Sequence, residues 1–173
     1  MALELIIGSM YSGKSTELIH RVNRFRNIGM KCLVINHTND TRVLDEAVQT
    51  HDGDMLPAKK TDDILLVDTR PYDMIAIDEG QFFRNLKTAV HFMVKAGKYV
   101  IVAGLNGDYQ RNKFGEILDL IPIADNVTFK RALCKRCRHP NKEAAFTKRI
   151  GAQTGTVNVN CKYVAVCRQC YEK

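Results

Sequence analysis

The stretch Gly8-Ser-Met-Tyr-Ser-Gly13-Lys14-Ser15 fits the phosphate-binding loop pattern G-x-x-x-x-G-K-[ST]. The glycines of such a loop let the backbone approach phosphate oxygens closely, and the N–H groups at the start of the following helix attract the anion. The lysine of the pattern reaches the β- and γ-phosphates, and the serine hydroxyl helps to hold Mg²⁺. The alternative is a glycine-serine turn with an incidental lysine.

The sequence on either side of the loop distinguishes these two interpretations. The run Leu3–Ile7 is apolar and has the length of a strand, and apolar residues recur at helical spacing from Leu18 to Phe25. Gly29 is a suitable residue to end that helix. Because a phosphate loop must lie between a strand and a helix, we predict a site for a nucleoside triphosphate.

Further strand and helix patterns alternate along the chain. Apolar runs at 32–36, 74–78 and 99–103 predict strands, and helical patterns lie at about 15–28 and 83–96. This alternation predicts an α/β fold with a mostly parallel sheet covered on both faces. The polar segment 38–63 has little periodicity, and we predict it to be a long loop, which in a compact domain is usually functional or mobile.

Length and composition limit the class of protein. The chain has 173 residues, of which 45% are hydrophobic and 26% charged, as expected for one main domain with a small appendage. Its apolar runs are shorter than a membrane span, and the first strand occupies the position of a secretory signal. We therefore expect a cytoplasmic protein, in a cell or in an infected host, with no membrane partner.

The net charge of +7 raises the question of nucleic-acid binding. The densest basic stretch, 130–149, lacks the regular aromatic residues of a surface that binds single strands. We expect no nucleic-acid partner, because basic residues also suit a protein that handles ATP.

Two acids follow the apolar run Met74–Ile77. An acid at the carboxyl end of a strand in a phosphate-loop protein is the usual partner of the magnesium ion (Walker B), which predicts that role for Asp78. If the strand continues, Glu79 points away from Asp78, toward the phosphoryl acceptor or a water. The alternative is a strand that ends in solvated acids.

Four of the six cysteines form two C-x-x-C pairs, Cys134/Cys137 and Cys167/Cys170, with residues 138–166 between them. Four thiolates in two short turns predict a closed tetrahedral zinc site with a structural role. This site would stabilise a polar segment of about 40 residues that is too small to form its own core. Reduced cysteines without metal, or redox chemistry, are the alternatives. The chain ends three residues after Cys170, so we expect no regulatory tail.

Several of these motifs occur together in one known family. The stretch Asp78-Glu-Gly-Gln-Phe-Phe83, taken with 8–16, resembles the cytosolic-type thymidine kinase family of animals, poxviruses and many bacteria. Other stretches match that family in the same order, across nearly the whole chain: Asp40-Thr-Arg42, Thr50-His-Asp52, Gly107-x-Tyr-Gln-Arg-x-x-Phe-Gly115, Glu143-Ala-Ala-Phe-Thr-Lys-Arg149 and the two cysteine pairs.

The resemblance implies a fold, a reaction and partners. It implies a RecA-like ATP-binding domain at 1–132 and a zinc-binding lasso domain at 133–173 that closes over the nucleoside. The implied reaction transfers the γ-phosphoryl group of ATP, bound with Mg²⁺, to the 5′-hydroxyl of thymidine, and deoxyuridine is also accepted. A homotetramer and feedback inhibition by thymidine triphosphate are expected by the same analogy.

The resemblance also implies site residues. Glu79 matches the general base of the family. The positions that match the ATP and magnesium site are Gly8, Ser9, Met10, Tyr11, Ser12, Gly13, Lys14, Ser15, Thr16, Asp40, Thr41, Arg42, Asp78 and Gln81. The positions that match the nucleoside site are Met10, Phe82, Leu105, Tyr109, Phe114, Thr147, Thr156, Val157, Asn158, Val159, Asn160 and Tyr163. Core packing is the alternative role for Phe82, Leu105 and Phe114.

The chain departs from the family pattern in two places. Tyr109 lies where relatives commonly have phenylalanine, and its hydroxyl needs a partner or a water. Residues 156–163 lack a Gly-Gly pair and look about two residues shorter than in relatives. The register of the backbone groups that read thymine is therefore where fine specificity would differ.

Two other functions remain open at this point. One is a nucleic-acid-stimulated ATPase with a zinc ribbon, which would need an arginine finger and a nucleic-acid surface that the sequence does not indicate. The other is a non-catalytic nucleotide-binding or zinc-ribbon adaptor, against which Lys14, Ser15, Asp78 and Glu79 argue.

Overall fold

The computed structural model describes residues 1–40, 47–49, 55–151 and 162–173. Its strands are β1 (Ala2–Gly8), β2 (Cys32–His37), β3 (Ala47–Gln49), β4 (Met55–Pro57), β5 (Lys59–Thr61), β6 (Met74–Ile77), β7 (Tyr99–Leu105), β8 (Asn126–Lys130), β9 (Ala132–Leu133), β10 (Glu143–Ala144), β11 (Phe146–Ile150) and β12 (Lys162–Val166). Its α-helices are α1 (Lys14–Asn27), α2 (Leu86–Lys95) and α3 (Arg168–Glu172), and 3₁₀ turns lie at Ile64–Leu66, Gly80–Phe82 and Ile117–Ile123.

Six strands form a central parallel sheet in the order β5-β2-β6-β7-β1-β8. The predicted α/β fold is thus confirmed. The four predicted strands form its middle, because their uninterrupted apolar runs suit positions buried on both faces. β7 lies between β1 and β6, so the phosphate loop after β1 and the acids after β6 meet at the carboxyl edge of the sheet.

Both faces of the sheet are covered, as predicted. Helix α1 buries Leu18, Ile19 and Val22 on one face, in a cluster that includes sheet residues such as Ile101. Helix α2 and the turn Ile117–Ile123 cover the other face. Helix α1 ends at Asn27, and Gly29 follows with a φ of 82°, as expected for its cap.

The prediction of a long loop at 38–63 is wrong in part. Its described residues include β3, β4 and β5, and β5 extends the central sheet beside β2. Strands of three residues are too short to show a period of two, which is why the sequence pattern did not reveal them.

The C-terminal residues have a core of their own. It consists of Ala132, Cys134, Ala144, Ala165, Val166, Cys167 and Cys170, with Phe146, Val164 and Tyr171 packed against it. Alanine and cysteine dominate this cluster, so little apolar area is buried and a further stabilising element is needed. Within the ranges that the structure describes, no helix combines the length and apolar character needed to cross a lipid bilayer.

Candidate active site

The phosphate loop connects β1 to α1 in a tight turn. Tyr11 and Gly13 have φ values of 61° and 75°. The Ser9 carbonyl accepts hydrogen bonds from Ser12 Oγ and from Lys14 Nζ, both at 2.8 Å. Lys14 is 9% exposed and is held over the loop by this contact. The loop therefore has the strand-loop-helix setting that the sequence predicted, with its lysine folded onto the anion-binding turn.

The residues that the two motifs predict for the magnesium side are in direct contact. Ser15 Oγ donates to Asp78 Oδ2 at 2.9 Å, across β7. Asp78 is 1% exposed, and its backbone N–H donates to the Ile35 carbonyl. A hydroxyl and a carboxylate side by side provide the oxygen ligands that Mg²⁺ prefers, so this pair fits that ion.

Glu79 has a geometry that the sequence did not predict. Strand β6 ends at Ile77, and Glu79 has a left-handed conformation with φ 52° and ψ 38°. The expectation that strand alternation orients Glu79 is therefore wrong, because the positive φ determines where the side chain points. For a residue other than glycine this conformation costs of order 1–3 kcal/mol, and such strain clusters at functional sites.

Gln81 fixes the carboxylate of Glu79. Its Nε2 donates to Glu79 Oε2 at 2.6 Å, and its Oε1 accepts from the Leu105 N–H at 2.9 Å. Gln81 is 2% exposed. Gly115, with φ 62°, lies so close that a Cβ there would be 2.1 Å from the Gln81 carbonyl oxygen. The orientation of Glu79 thus depends on the end of β7 and on a glycine 36 residues along the chain (115 − 79 = 36).

The aromatic candidates pair with one another at the same edge. The Phe82 and Phe114 rings meet edge-on with centroids 5.4 Å apart, and Tyr109 and Tyr163 lie 6.5 Å apart. All four side chains are partly buried. Flat apolar walls with some exposure are what a nucleoside site requires.

Two hydrogen bonds join the phosphate loop to the C-terminal strands. Ser9 Oγ donates to the Ala144 carbonyl at 2.9 Å, and the Met10 N–H donates to Thr147 Oγ1 at 3.1 Å. Ser9 and Thr147 are 1% and 6% exposed. The structure therefore connects the predicted phosphate residues to the predicted nucleoside residue Thr147 through direct hydrogen bonds.

Asp40 lies beyond the carboxyl end of β2. Its carboxylate accepts from Asn36 Nδ2 at 2.8 Å, and its carbonyl accepts from Lys60 Nζ at 3.1 Å. The other predicted residues of this region, Thr41 and Arg42, lie outside the described residues. So do Thr156, Val157, Asn158, Val159 and Asn160, which were predicted to read thymine.

A buried histidine lies behind the aromatic walls. The His37 ring is 4.8 Å from the Phe83 ring and 5.5 Å from that of Phe82. Burial lowers the pKa of His37, although Asp62 opposes this shift. The neutral ring accepts from the Asn39 N–H at Nδ1, so His37 packs as an uncharged support for Phe82.

The four paired cysteines meet at one point. The sulfur atoms of Cys134, Cys137, Cys167 and Cys170 all lie within 4.8 Å of one another, with Cys137 Sγ 3.7 Å from Cys167 Sγ and 3.2 Å from Cys170 Sγ. Tetrahedral zinc with Zn–S bonds of about 2.3 Å separates its sulfur ligands by about 3.8 Å. The donor set and its spacing fit a four-thiolate zinc site.

The pKa values of Cys137 and Cys170 are raised, that of Cys137 chiefly by its hydrogen bonds with Cys170 and Cys167, whereas the pKa of Cys134 is lowered. Burial of Cys134 opposes the charged form, but backbone N–H groups, among them that of Cys137, outweigh this effect and lower the pKa of Cys134 to about 6. A thiolate is the form that binds a metal.

Sequence reasoning missed several residues around the site. Asn36 holds Asp40, Ala144 supplies the carbonyl that binds Ser9, and the Arg149 guanidinium carbon lies 4.4 Å from the centre of the Tyr109 ring. Ala144 and Arg149 both belong to the family-like stretch 143–149, which was the available signal for them. Backbone carbonyls and partners distant in sequence have no signature of their own in a single chain.

Comparison with known proteins agrees with this geometry. A sequence model described as thymidine kinase matches residues 1–171. The chain is 43% identical over 174 residues to the thymidine kinase of Myxoma virus (strain Uriarra), a match that covers 98% of this chain and 95% of the viral protein. It is 44% identical over 177 residues to the Variola virus thymidine kinase, covering 98% and 96%. It is 43% identical over 176 residues to the cytosolic thymidine kinase of Bos taurus, covering 99% and 72%.

Proposed function

The chain belongs to the thymidine kinase family, and on that premise we propose that its carboxyl-edge site transfers the γ-phosphoryl group of ATP to the 5′-hydroxyl of thymidine, giving thymidine monophosphate and ADP. The observation that carries the proposal is the Ser15–Asp78 hydrogen bond of 2.9 Å, next to a Glu79 that Gln81 holds in place. The proposed metal-side carboxylate and the proposed base are thus consecutive residues, Asp78 and Glu79.

We propose that the triphosphate binds along 8–16. The backbone N–H groups of the loop, the first turn of α1 and Lys14 provide the positive charge that phosphate oxygens need. Ser15 and Asp78 are the residues that would hold Mg²⁺, which neutralises charge on the phosphate oxygens when bound. Asp40, Thr41 and Arg42 are assigned to the same side by the resemblance to the family.

Glu79 is the proposed general base. Its carboxylate accepts the proton of the 5′-hydroxyl as that oxygen attacks the γ-phosphorus, and the hydrogen bond from Gln81 Nε2 supports one orientation of the carboxylate. Most of the rate enhancement comes from positioning and charge neutralisation, because the transition state of phosphoryl transfer is loose.

The nucleoside is proposed to bind between the two aromatic pairs and the place where the phosphate loop is hydrogen-bonded to β10 and β11. The residues assigned to it are Met10, Phe82, Leu105, Tyr109, Phe114, Thr147 and Tyr163, with the backbone of 156–160 reading the base. The 5.4 Å contact between Phe82 and Phe114 supports one flat wall, and Tyr109 with Tyr163 supports another.

We propose that 1–132 form the ATP-binding domain and 133–173 a lasso domain that covers the nucleoside. The separate C-terminal core and the cluster of four cysteines support this division. A structural zinc ion would supply the cross-link that a core of alanine and cysteine lacks.

Other properties are proposed from family membership alone. These are a homotetramer, inhibition by thymidine triphosphate, acceptance of deoxyuridine and a cytoplasmic location. Sedimentation at several protein concentrations, and inhibition kinetics with thymidine triphosphate, test the first two.

A nucleoside panel with γ-labelled ATP tests the function. We expect transfer of label to thymidine and deoxyuridine, none to purine nucleosides, and loss of transfer in Glu79→Gln while ATP binding persists. Label released as free phosphate on addition of DNA or RNA, with no nucleoside labelled, would instead favour a nucleic-acid-stimulated ATPase, which the family match over 1–171 disfavours.

A further inference from the structure

The segment 106–115, here called the Tyr109 loop, connects β7 to the turn at Ile117 and carries two of the proposed nucleoside contacts. Asp108 closes this loop on itself. Its Oδ1 accepts from the N–H groups of Gln110 and Asn112, both at 2.8 Å. Arg111 follows with a φ of 69°. These contacts set the shape of the loop but do not attach it to the neighbouring elements.

Tyr171, in helix α3, makes one such attachment. Its hydroxyl donates to the Tyr109 carbonyl oxygen at 2.7 Å, across 62 positions of sequence. Because the acceptor is the backbone of Tyr109, the bond fixes the position from which the Tyr109 ring projects toward Tyr163.

Arg111 makes a second attachment to the same helix. Its guanidinium carbon lies 4.4 Å from the centre of the Tyr171 ring, and its Nη1 is 2.6 Å from Glu172 Oε1. The ion pair is partly exposed and contributes little by itself. Stacking of the Arg111 guanidinium on the Tyr171 ring adds an attraction that holds the loop against helix α3.

The opposite side of Tyr171 is anchored in the C-terminal unit. The Phe146 ring lies 5.6 Å from the Tyr171 ring, and Lys148 Nζ donates to the Tyr171 carbonyl at 2.8 Å. The preceding residue, Cys170, belongs to the four-cysteine cluster. Tyr171 therefore connects a rigid anchor to a loop that contributes to the site.

We propose that Tyr171 is a positioning residue for the nucleoside, which holds the Tyr109 loop in place through its hydroxyl and its ring. The proposal rests on the proposed function, because Tyr109 and Tyr163 contact a nucleoside only if that function is right. Tyr171 acts through Tyr109 and does not touch the reacting atoms.

The test is the variant Tyr171→Phe, which removes the hydroxyl and keeps the ring. One neutral hydrogen bond is worth about 0.5–1.5 kcal/mol, so we expect the KM for thymidine to rise about two- to tenfold. The kcat, the KM for ATP and the bound zinc should stay at wild-type values. Titration calorimetry of thymidine with a non-hydrolysable ATP analogue should show the same loss of affinity.

Tyr72→Phe is the matched control. It also loses a tyrosine hydroxyl, but Tyr72 lies before β6, at the opposite edge of the sheet from the site. Its kinetics should equal those of the wild type.

A double-variant cycle separates positioning from general packing. If Tyr171 acts through Tyr109, Tyr171→Phe should have a smaller effect on thymidine affinity in a Tyr109→Leu background than in the wild type, and the effect that remains is the share carried by Phe114 on the same loop. An unchanged thymidine KM in Tyr171→Phe, or additive effects in the cycle, or a parallel loss of zinc and of both substrate affinities, would overturn the proposal. A wild-type protein that labels no thymidine would overturn the proposed function itself, which is a distinct result.

Discussion

The contact between Gly115 and Gln81 leads to a quantitative prediction for Gly115→Ala. Gly115 has a φ of 62°, and an added methyl carbon would lie 2.1 Å from the Gln81 carbonyl oxygen and 2.9 Å from its carbonyl carbon. Both atoms belong to the backbone of the residue that holds Glu79. The substitution therefore disturbs the fold and the general base at once.

Two costs, one of backbone strain and one of overpacking, add up to the expected loss of stability in Gly115→Ala. An alanine in the left-handed region costs about 1–2 kcal/mol. Overpacking against a backbone that must move costs about 1–3 kcal/mol more. We therefore expect Gly115→Ala to lower the free energy of unfolding by about 2–5 kcal/mol, and to lower kcat because Gln81 shifts relative to Glu79.

Gly97→Ala is the matched control. Gly97 has a φ of 83°, and apart from Gly97 itself and its two chain neighbours no heavy atom of the described residues lies within 4 Å of the position of an added Cβ. Gly97→Ala should lower the free energy of unfolding only by the backbone cost of about 1–2 kcal/mol, and it should keep the wild-type kcat. Urea unfolding at one fixed protein concentration measures the first quantity, since association would otherwise shift the midpoint. Initial rates at saturating thymidine and ATP measure the second.

Equal losses of stability in Gly115→Ala and Gly97→Ala would refute this reasoning, because the clash with Gln81 would then be absent. A strongly destabilised Gly115→Ala with wild-type kcat would refute the link between Gln81 and the base.

Three other predictions concern the base, the metal and pH. Glu79→Gln should reduce kcat about 10²–10⁴-fold with ATP affinity retained, and wild-type turnover would exclude Glu79 as the base. Cys137→Ser should lower the zinc content measured by mass spectrometry and raise the thymidine KM, and an unchanged metal count would contradict the four-cysteine site. Burial lowers the pKa of His37 in the folded protein. The stabilisation that the neutral His37 ring provides is therefore complete above the unfolded pKa of about 6.5, and it is lost as pH falls toward the folded pKa. His37→Gln should therefore flatten the stability profile between pH 7 and pH 5, and an identical slope in both proteins would argue against a neutral, buried His37.

The central strands were predictable because each is a continuous apolar run, and burial on both faces requires that composition. The edge strands were not. β8 (Asn126–Lys130) is largely exposed and mixes polar with apolar residues, and β5 has three residues. An edge strand needs fewer apolar side chains, so its pattern resembles that of a loop.

The motifs predict the candidate site, but the sequence could not give its internal geometry. Lys14, Ser15 and Asp78 belong to patterns whose spacing is fixed by phosphate and metal chemistry. The orientation of Glu79 depends on a positive φ and on the hydrogen bond from Gln81. Hydrophobic periodicity, which has a repeat of two residues in strands and 3.6 in helices, predicts neither of them. The bond from Ser9 to Ala144 spans 135 positions, and such pairs are set by how β10 and β11 pack against the loop.

Under the proposed function, the hydrogen bonds that join the phosphate loop to β10 and β11 connect the ATP site to the nucleoside site. The Met10 N–H of the phosphate loop donates to Thr147 Oγ1 at 3.1 Å; Met10 is assigned by the proposal to both sites, and Thr147 to the nucleoside site. We therefore expect that occupancy of either site changes the affinity of the other. Thermodynamic reciprocity requires that thymidine change the affinity for an ATP analogue by the same factor by which the analogue changes the affinity for thymidine.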